Sequence, residues 1–325
     1  MASEIIKDDM MPDRSRLFCP MERTMTKMFF SLVDYRNNYF TSDDPNKIIE
    51  FYNGFENRDQ LTQWMKERPK GVGNIHEVDG DKDIIVVIPT ADFNGKYAKE
   101  CRENIFKSLH IVFVESGGKG DFYFNFAHNC NVGIKRAMEY NPKWVVVSND
   151  DVLALDPIQI LTEELDKIYT LEPAIALDIE NSNRHIHTDL GYKRWITNYL
   201  FIILGISTKD KMKLEKRFGM YRIAMHSSLI SKFLMKVNSS FPSGGAFSIF
   251  NFTFVIKKQG EVYNADFINA WEDIYLYFCI NEEHTKIFQI NYRISTLHSM
   301  TFGHSYLRRL RDLASSVLFE KLLKI

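Results

Sequence analysis

Two adjacent acidic residues at the end of a strongly apolar segment are the best candidates for chemistry in this sequence. Residues 144–152 read WVVVSNDDV, and a run that is apolar at every position is typical of a strand buried inside a parallel sheet. Open α/β sheets bind ligands at the carboxyl ends of their strands, where Asp150 and Asp151 are expected. Adjacent carboxylates repel each other unless they share a proton or a cation, and their oxygens suit Mg²⁺ and Mn²⁺. The pattern therefore predicts a site for a divalent cation or a ligand.

A simpler interpretation is that one of these acids only caps the helix that follows. Asp156 and Pro157 form a better helix start, because an acidic N-cap residue is often followed by proline at the first helical position. The sequence therefore predicts that Asp156 caps a helix over residues 158–169. On that basis, Asp150 and Asp151 remain available for a ligand.

Polar residues follow three predicted strands in the same way. These strand-end residues are Pro89, Thr90 and Asp92 after residues 83–88, Glu115 and Ser116 after residues 110–114, and Asn149 and Asp150 after residues 144–148. Helices predicted at 97–108 and 129–140 separate the strands, and this βαβαβ order favours a mostly parallel sheet with right-handed crossovers. A nucleotide would then lie across the three strand ends, with Glu115 accepting an N–H of the base.

Composition and missing motifs exclude several other classes of protein. The chain has 325 residues, 45% hydrophobic and 26% charged, and a formal net charge of −1, so no basic surface for nucleic acid is expected. Its four cysteines are far apart in sequence, as expected for free thiols in a reducing compartment. The first strand is followed by neither a GxGxxG fingerprint nor a Walker A lysine. These features indicate a cytoplasmic protein that is neither a dinucleotide-binding enzyme nor a P-loop NTPase.

One apolar segment leaves a membrane contact open. Residues 195–206 are mostly apolar and lie between basic residues, but the run is shorter than the roughly 18 to 20 residues that a membrane span needs. Such a segment is compatible with a buried helix or with a helix lying in a membrane interface. Peripheral association with a membrane is therefore one of two interpretations.

The order of these motifs resembles that of family 2 glycosyltransferases, inverting enzymes of the A-type glycosyltransferase fold that use nucleotide-diphosphate sugars. The resemblance covers residues 83 to about 305 and includes the Pro89-Thr90 strand end, Glu115-Ser116 and an Asn131-Val132-Gly133 helix start. It implies that Asp151 is the cation-binding residue, while Asn149 stands where the family usually has a first acid. It also implies a bound Mn²⁺ or Mg²⁺ as cofactor.

The downstream part of the resemblance supplies the remaining site residues. Glu272 and Asp273 match a Glu-Asp pair that opens a helix. The resemblance implies that Asp273 is the base that deprotonates the acceptor hydroxyl and that Glu272 positions Asp273 or the acceptor. His298 would contact the cation or the diphosphate. Gly244 and Gly245, in a turn before a strand-like run at 246–254, and Trp271 would contact the acceptor or the donor sugar. Without the strand-end motif, the acidic pair would be interpreted as stabilising the helix dipole alone.

The expected architecture is one Rossmann-like α/β domain of the nucleotide-diphospho-sugar transferase type, with added helices at both ends. Residues 1–80 are predicted to be a helical extension that ends in a glycine-containing linker at 71–80. Residues 81–305 form the transferase domain, with a nucleotide-binding half at 81–155 and an acceptor-binding half at 156–305. Residues 306–325 are predicted to be one amphipathic helix.

The function expected from these observations is transfer of a sugar, hexosyltransferase-type, from a nucleotide-diphosphate sugar to an acceptor hydroxyl with inversion. The acceptor would be a glycan or a lipid-linked molecule. One alternative is a nucleotidyltransferase that makes a sugar nucleotide, although residues 92–96 offer one glycine and one lysine where a triphosphate loop needs more. Another alternative is a non-catalytic protein that binds a sugar nucleotide or a glycan.

Overall fold

The structure is a computed structural model, and it describes residues 42–117, 121–169, 174–178, 209–219, 246–268, 270–283, 286–296 and 306–323. Within these ranges it is an α/β structure, in which helices pack against a central sheet of seven strands. A second, smaller sheet pairs Val152–Ala154 with Ile294–Thr296. The general α/β class expected from the alternating pattern is therefore confirmed.

The elements follow one another along the chain as alternating strands and helices between two helical ends. The strands are β1 Asn74–Val78, β2 Asp81–Thr90, β3 Leu109–Glu115, β4 Trp144–Ser148, β5 Val152–Ala154, β6 Ala174–Asp178, β7 Phe247–Asn251, β8 Lys286–Ile290 and β9 Ile294–Thr296. The α-helices are α1 Pro45–Asn53, α2 Arg58–Glu67, α3 Lys96–Glu100, α4 Phe126–Met138, α5 Ile158–Ile168, α6 Lys209–Phe218, α7 Phe252–Lys257, α8 Glu272–Glu282, α9 Tyr306–Arg311 and α10 Leu313–Leu323. A π-helical turn, Cys101–Ile105, continues α3.

The seven-stranded sheet has the order β1-β3-β2-β4-β7-β6-β8. Strand β2 pairs in parallel with both β3 and β4, as the βαβαβ pattern predicts. The pairs β1–β3, β4–β7 and β6–β7 are antiparallel, and β6–β8 is parallel, so the whole sheet is mixed. The carboxyl ends of β3, β2 and β4 consequently lie side by side at one edge.

Burial explains why these three strands form the centre of the sheet. Every residue of β4 is buried, and β2 is buried from Ile84 to Thr90, because helices and further strands cover both faces. One face contributes to a cluster with Cys101 and Leu161, and the other to a cluster with Ile134 and Phe250. The runs that are apolar at every position are therefore strands buried on both faces, as the sequence indicates.

Several sequence-based element boundaries are wrong. The segment at 71–80, expected to be a linker, contains β1, whose weak alternation of side chains produces only partial burial. The strand expected over 246–254 ends at Asn251, whose side chain caps α7. Helix α4 begins at Phe126, where the Asn125 side chain accepts the His128 N–H, and the helix expected to reach Ser108 ends in the π-helical turn at Ile105.

The predicted cap of α5 is also wrong. The Asp156 carboxylate accepts hydrogen bonds from the Arg293 side chain and backbone N–H at 2.7 to 3.1 Å. Among the described residues, no side chain caps α5. A bidentate guanidinium partner binds a carboxylate more strongly than one backbone N–H does. Asp156 therefore joins the start of α5 to the segment just before β9.

The helices at the two ends of the chain pack together. Helices α1, α2, α9 and α10 contribute to one apolar cluster that also includes Phe267, Ile268 and, on its periphery, Trp271. The tail is two helices instead of one, and all residues from Leu313 to Glu320 are buried, so α10 is surrounded and not amphipathic. The helical ends therefore share a core beside the segment that leads into α8.

Candidate functional site

The ends of β2 and β4 are joined by a hydrogen bond between two predicted site residues. Thr90 Oγ1 donates to Asp150 Oδ2 at 2.7 Å. Burial raises the pKa of the Asp150 carboxyl and the neighbouring Asp151 carboxylate raises it further, while the Thr90 hydroxyl acts in the opposite direction. Ionisation of Asp150 is therefore unfavourable in this position. A bound cation would stabilise its ionised form.

Asp151 follows directly and begins the turn into β5. The residue is 8% exposed, and the next residue, Val152, pairs with Thr296 of β9. This pairing brings the strand that precedes residue 298 in sequence next to the acidic pair. Within the described ranges, no three His, Cys, Asp or Glu side chains lie close enough together to hold a metal ion. Two carboxylates nevertheless fit Mg²⁺ or Mn²⁺, since such ions commonly take one or two protein carboxylates together with phosphate oxygens and water.

Glu115, at the end of β3, is held by two contacts. The Phe93 N–H donates to Oε1 at 2.9 Å, and His76 Nε2 lies 2.9 Å from Oε2. The Phe93 N–H and then His76 lower the pKa of Glu115, so the carboxylate is an acceptor and Nε2 carries the proton. The Glu115 side chain is therefore fixed at the strand end, with each oxygen retaining acceptor capacity.

Phe93 connects this carboxylate to two residues that the sequence reading did not single out. The His76 ring stacks on the Phe93 ring with centroids 4.4 Å apart, and the Arg102 guanidinium lies 4.7 Å from the same ring. Arg102 also donates to the Phe93 carbonyl at 2.5 Å from the π-helical turn. The sequence around His76 does not indicate a role for this residue, because the short strand β1 resembles a linker in its composition.

The other strand-end residues mainly shape the backbone. Pro89 pairs with Val114, the Ser116 N–H donates to the Thr90 carbonyl at 3.1 Å, and Asn129 donates to Ser116 Oγ at 2.8 Å. Asp92 Oδ1 accepts the Asn94 N–H, which makes the exposed Asp92 a turn residue. The Asn149 N–H donates to the Ala246 carbonyl at 2.8 Å, next to the start of β7.

The acidic pair Glu272 and Asp273 occupies the first turn of α8, as predicted. Asp273 Oδ1 accepts the Ile274 N–H at 2.8 Å, and Glu272 is buried. The carboxylate of Glu272 contributes, after burial, to the raised pKa of Cys130 in α4, so the start of α8 lies near α4. Trp271 has a positive φ of 73°, and its ring packs 5.0 Å from the ring of Phe319 in α10.

Three predicted site residues, Gly244, Gly245 and His298, lie outside the described residues, as do the apolar segment 195–206 and its possible membrane face. The structure therefore brings together the ends of β2, β3 and β4, and separately defines the start of α8.

A comparison with protein-family models finds none that matches this chain, and a search of curated proteins finds no significant match. The resemblance to family 2 glycosyltransferases thus stays a prediction. Among the helices that the structure describes, none is long and apolar enough to cross a membrane.

Proposed function

We propose that this protein is an inverting, divalent-cation-dependent glycosyltransferase that uses a nucleotide-diphosphate sugar. The observation that carries the proposal is the Thr90–Asp150 hydrogen bond between the ends of two adjacent parallel strands. Asp151 is the next residue after Asp150, and Glu115 ends β3, the strand on the other side of β2. These carboxylates lie at the sheet edge where α/β folds bind ligands, which supports roles for Glu115 as an acceptor for the base and for Asp150 and Asp151 as cation ligands.

The donor would be bound by strand-end residues with distinct tasks. Glu115 would accept an N–H of the base, and Pro89, Thr90, Asp92, Ser116 and Asn149 would shape the surface beneath the nucleotide. Asp151 and His298, with Asp150 beside them, would hold Mn²⁺ or Mg²⁺, which when bound neutralises charge on the diphosphate leaving group. The burial of Asp151 supports this role, since buried carboxylates are usually paired or bound to a cation.

The acceptor would be activated at the start of α8. Asp273 takes the proton of an acceptor hydroxyl, and the acceptor oxygen forms a bond to the anomeric carbon. The bond between that carbon and the diphosphate oxygen breaks at the same time, which inverts the configuration. Glu272 positions the acceptor or Asp273, and Gly244, Gly245 and Trp271 line the sugar sites. The acceptor would be a glycan or a lipid-linked molecule, at a cytoplasmic location that includes the surface of a membrane.

Donor binding can be tested by thermal shift with UDP-glucose, UDP-N-acetylglucosamine, GDP-mannose and TDP-rhamnose, each with and without MnCl₂. A bound donor raises the melting temperature by mass action, so at least one should stabilise the wild type in the presence of Mn²⁺. Asp151→Asn should lose the Mn²⁺-dependent part of the shift. The matched control is Asp166→Asn, on the exposed face of α5, which should behave as the wild type. If no donor binds, or if the Asp151 variant retains the Mn²⁺ dependence, the proposal or its cation site is wrong.

The catalytic role of Asp273 has a separate test. Asp273→Asn keeps the shape of the side chain and the acceptor for the Ile274 N–H, so the fold and donor binding should be retained. Hydrolysis or transfer of the bound donor should fall by about 10²-fold or more, the usual contribution of a general base. A variant that binds the donor and turns it over at the wild-type rate would show that Asp273 is not the base. A wild type that binds donors without turnover would instead indicate a non-catalytic binding protein.

A further inference from the structure

The residue before the acidic pair has a strained backbone. Trp271 has φ of 73°, in the left-handed region that glycine adopts freely and that bulky residues rarely adopt. Such a conformation is unfavourable for a bulky residue and persists only where neighbouring contacts hold it in place. Because Trp271 directs the chain into Glu272 and Asp273, the contacts that hold Trp271 also determine where these carboxylates lie.

The first contact acts on the segment before Trp271 and comes from Ser315 in α10. Its hydroxyl donates to the Ile268 carbonyl at 3.0 Å and accepts the Ile268 N–H at 3.1 Å. Both residues are almost fully buried, so water does not replace these bonds easily. One side chain of α10 therefore satisfies both backbone groups of a residue three positions before Trp271.

The second contact comes from Phe319, one helical turn after Ser315. Its ring lies 5.0 Å from the Trp271 ring and 6.3 Å from that of Phe278 in α8. Residues four positions apart lie on the same face of a helix, so α10 presents the hydroxyl and the aromatic ring together. This face of α10 thus contacts the chain before the acidic pair and the helix after it.

Helix α10 is itself held by the N-terminal helices. The Tyr52 hydroxyl, in α1, donates to the Leu310 carbonyl at 2.5 Å and accepts the Ala314 N–H at 3.1 Å, which bridges the break between α9 and α10. Arg58, in α2, lies 3.0 Å from the Glu320 carboxylate. These contacts fix α10 at both ends of the face that reaches α8.

We propose that α10 is a positioning element for the Glu272–Asp273 pair, with Ser315 and Phe319 as its positioning residues. The inference rests on the proposed function of Asp273 as the base, and it adds that the rate of transfer depends on a helix from the far end of the chain. Displacement of a reacting group by about 1 Å can lower a rate by about 10²-fold, so a small release of the strained segment has a measurable effect.

The test compares Ser315→Ala with Ser316→Ala. Both serines are buried in α10, but the Ser316 hydroxyl donates to Asp312 and Leu313 of its own chain segment. For the nucleotide sugar of the panel that the wild type turns over fastest, Ser315→Ala should lower kcat about tenfold or more. Its donor affinity should stay within about twofold, whereas Ser316→Ala should match the wild type in both quantities.

Hydrogen exchange keeps the inference testable where turnover is absent. In Ser315→Ala, and in the milder variant Phe319→Leu, amides at 270–276 should exchange faster while β2 and β4 keep their protection. Equal kcat in both serine variants, or loss of donor affinity together with kcat, would overturn the positioning role and leave the proposed function intact. Unchanged exchange at 270–276 would also overturn it. A wild type that binds no donor would instead remove the proposed function, while faster exchange would still support the structural coupling.

Discussion

The Glu115 carboxylate depends on a neighbour in β1 for its orientation. His76 Nε2 lies 2.9 Å from Oε2, and the imidazole ring is kept in place by stacking on Phe93. Two different interactions of one side chain therefore act on the strand end, and they can be separated by substitution.

His76→Phe should weaken donor binding by about 3- to 10-fold, the equivalent of one hydrogen bond of roughly 1 kcal/mol. The phenyl ring can still stack on Phe93, but it cannot donate to Glu115. His76→Gln is the matched variant, because its amide N–H can reach the carboxylate although the stacked ring is lost, and it should bind the donor nearly as the wild type does. Titration calorimetry with the best nucleotide sugar of the panel measures both. Equal affinity in the two variants would mean that His76 does not orient Glu115.

Helix α4 lies unusually close to the two strands whose ends carry Thr90 and Glu115. A Cβ atom on Gly133 would be 2.3 Å from Val87 Cγ1 of β2 and 3.0 Å from Val114 Cγ2 of β3. Valine side chains in a buried strand have little freedom to move away. The absence of a side chain at Gly133 therefore sets the distance between this helix and the sheet.

Gly133→Ala should destabilise the protein by about 1 to 3 kcal/mol through overpacking. Helix propensity alone predicts the opposite sign, because alanine is about 1 kcal/mol more favourable than glycine inside a helix. Urea unfolding measures the free energy, and Gly54→Ala, at an exposed position with φ of −72°, is the control that should change it little. A stabilised Gly133→Ala variant would show that α4 can move away from the sheet without cost.

Contact between α2 and α10 includes an ion pair in which only the carboxylate is buried. Glu320 in α10 is 2% exposed and lies 3.0 Å from Arg58 in α2. Burial raises the pKa of Glu320 to about 7, although Arg58 acts in the opposite direction. At pH values between 4.5, the ordinary pKa of this carboxyl group, and about 7, the folded protein therefore keeps a proton on Glu320 that the unfolded chain has released. The contribution of Glu320 to stability is greatest at low pH and is lost as the pH rises through about 7.

Glu320→Gln removes this titration and keeps an acceptor for Arg58. The stability of the variant relative to the wild type should therefore increase from pH 5 to pH 8, and most of the change should occur below and around pH 7. Urea unfolding at four pH values gives the difference, and Glu163→Gln, on the exposed face of α5, is the control. A difference that is the same at every pH would mean that Glu320 stays ionised in the folded protein.

The sequence by itself predicts those elements of this protein in which the pattern of apolar and acidic residues is strong. The run Trp144–Ser148 could only be buried on both faces, and its acidic end followed from that assignment. The Glu272–Asp273 pair likewise opens a helix, because acids are favoured in a first turn. Sequence patterns do not predict β1, since its alternation is weak. They predict the wrong role for Asp156, because its partner Arg293 lies 137 residues away.

The features that the sequence does not predict depend on contacts between distant parts of the chain. Nothing in the order of residues shows that β7 runs antiparallel beside β4, that His76 meets Glu115, or that Ser315 holds the chain before Trp271. Short-range patterns report which face of an element is apolar, but many partners can cover such a face. Packing selects one partner, and with it the strained conformation at Trp271 and the raised pKa of Glu320. The chemistry of the acidic residues can therefore be read from their neighbours in sequence, whereas their positions are set by residues at both ends of the chain.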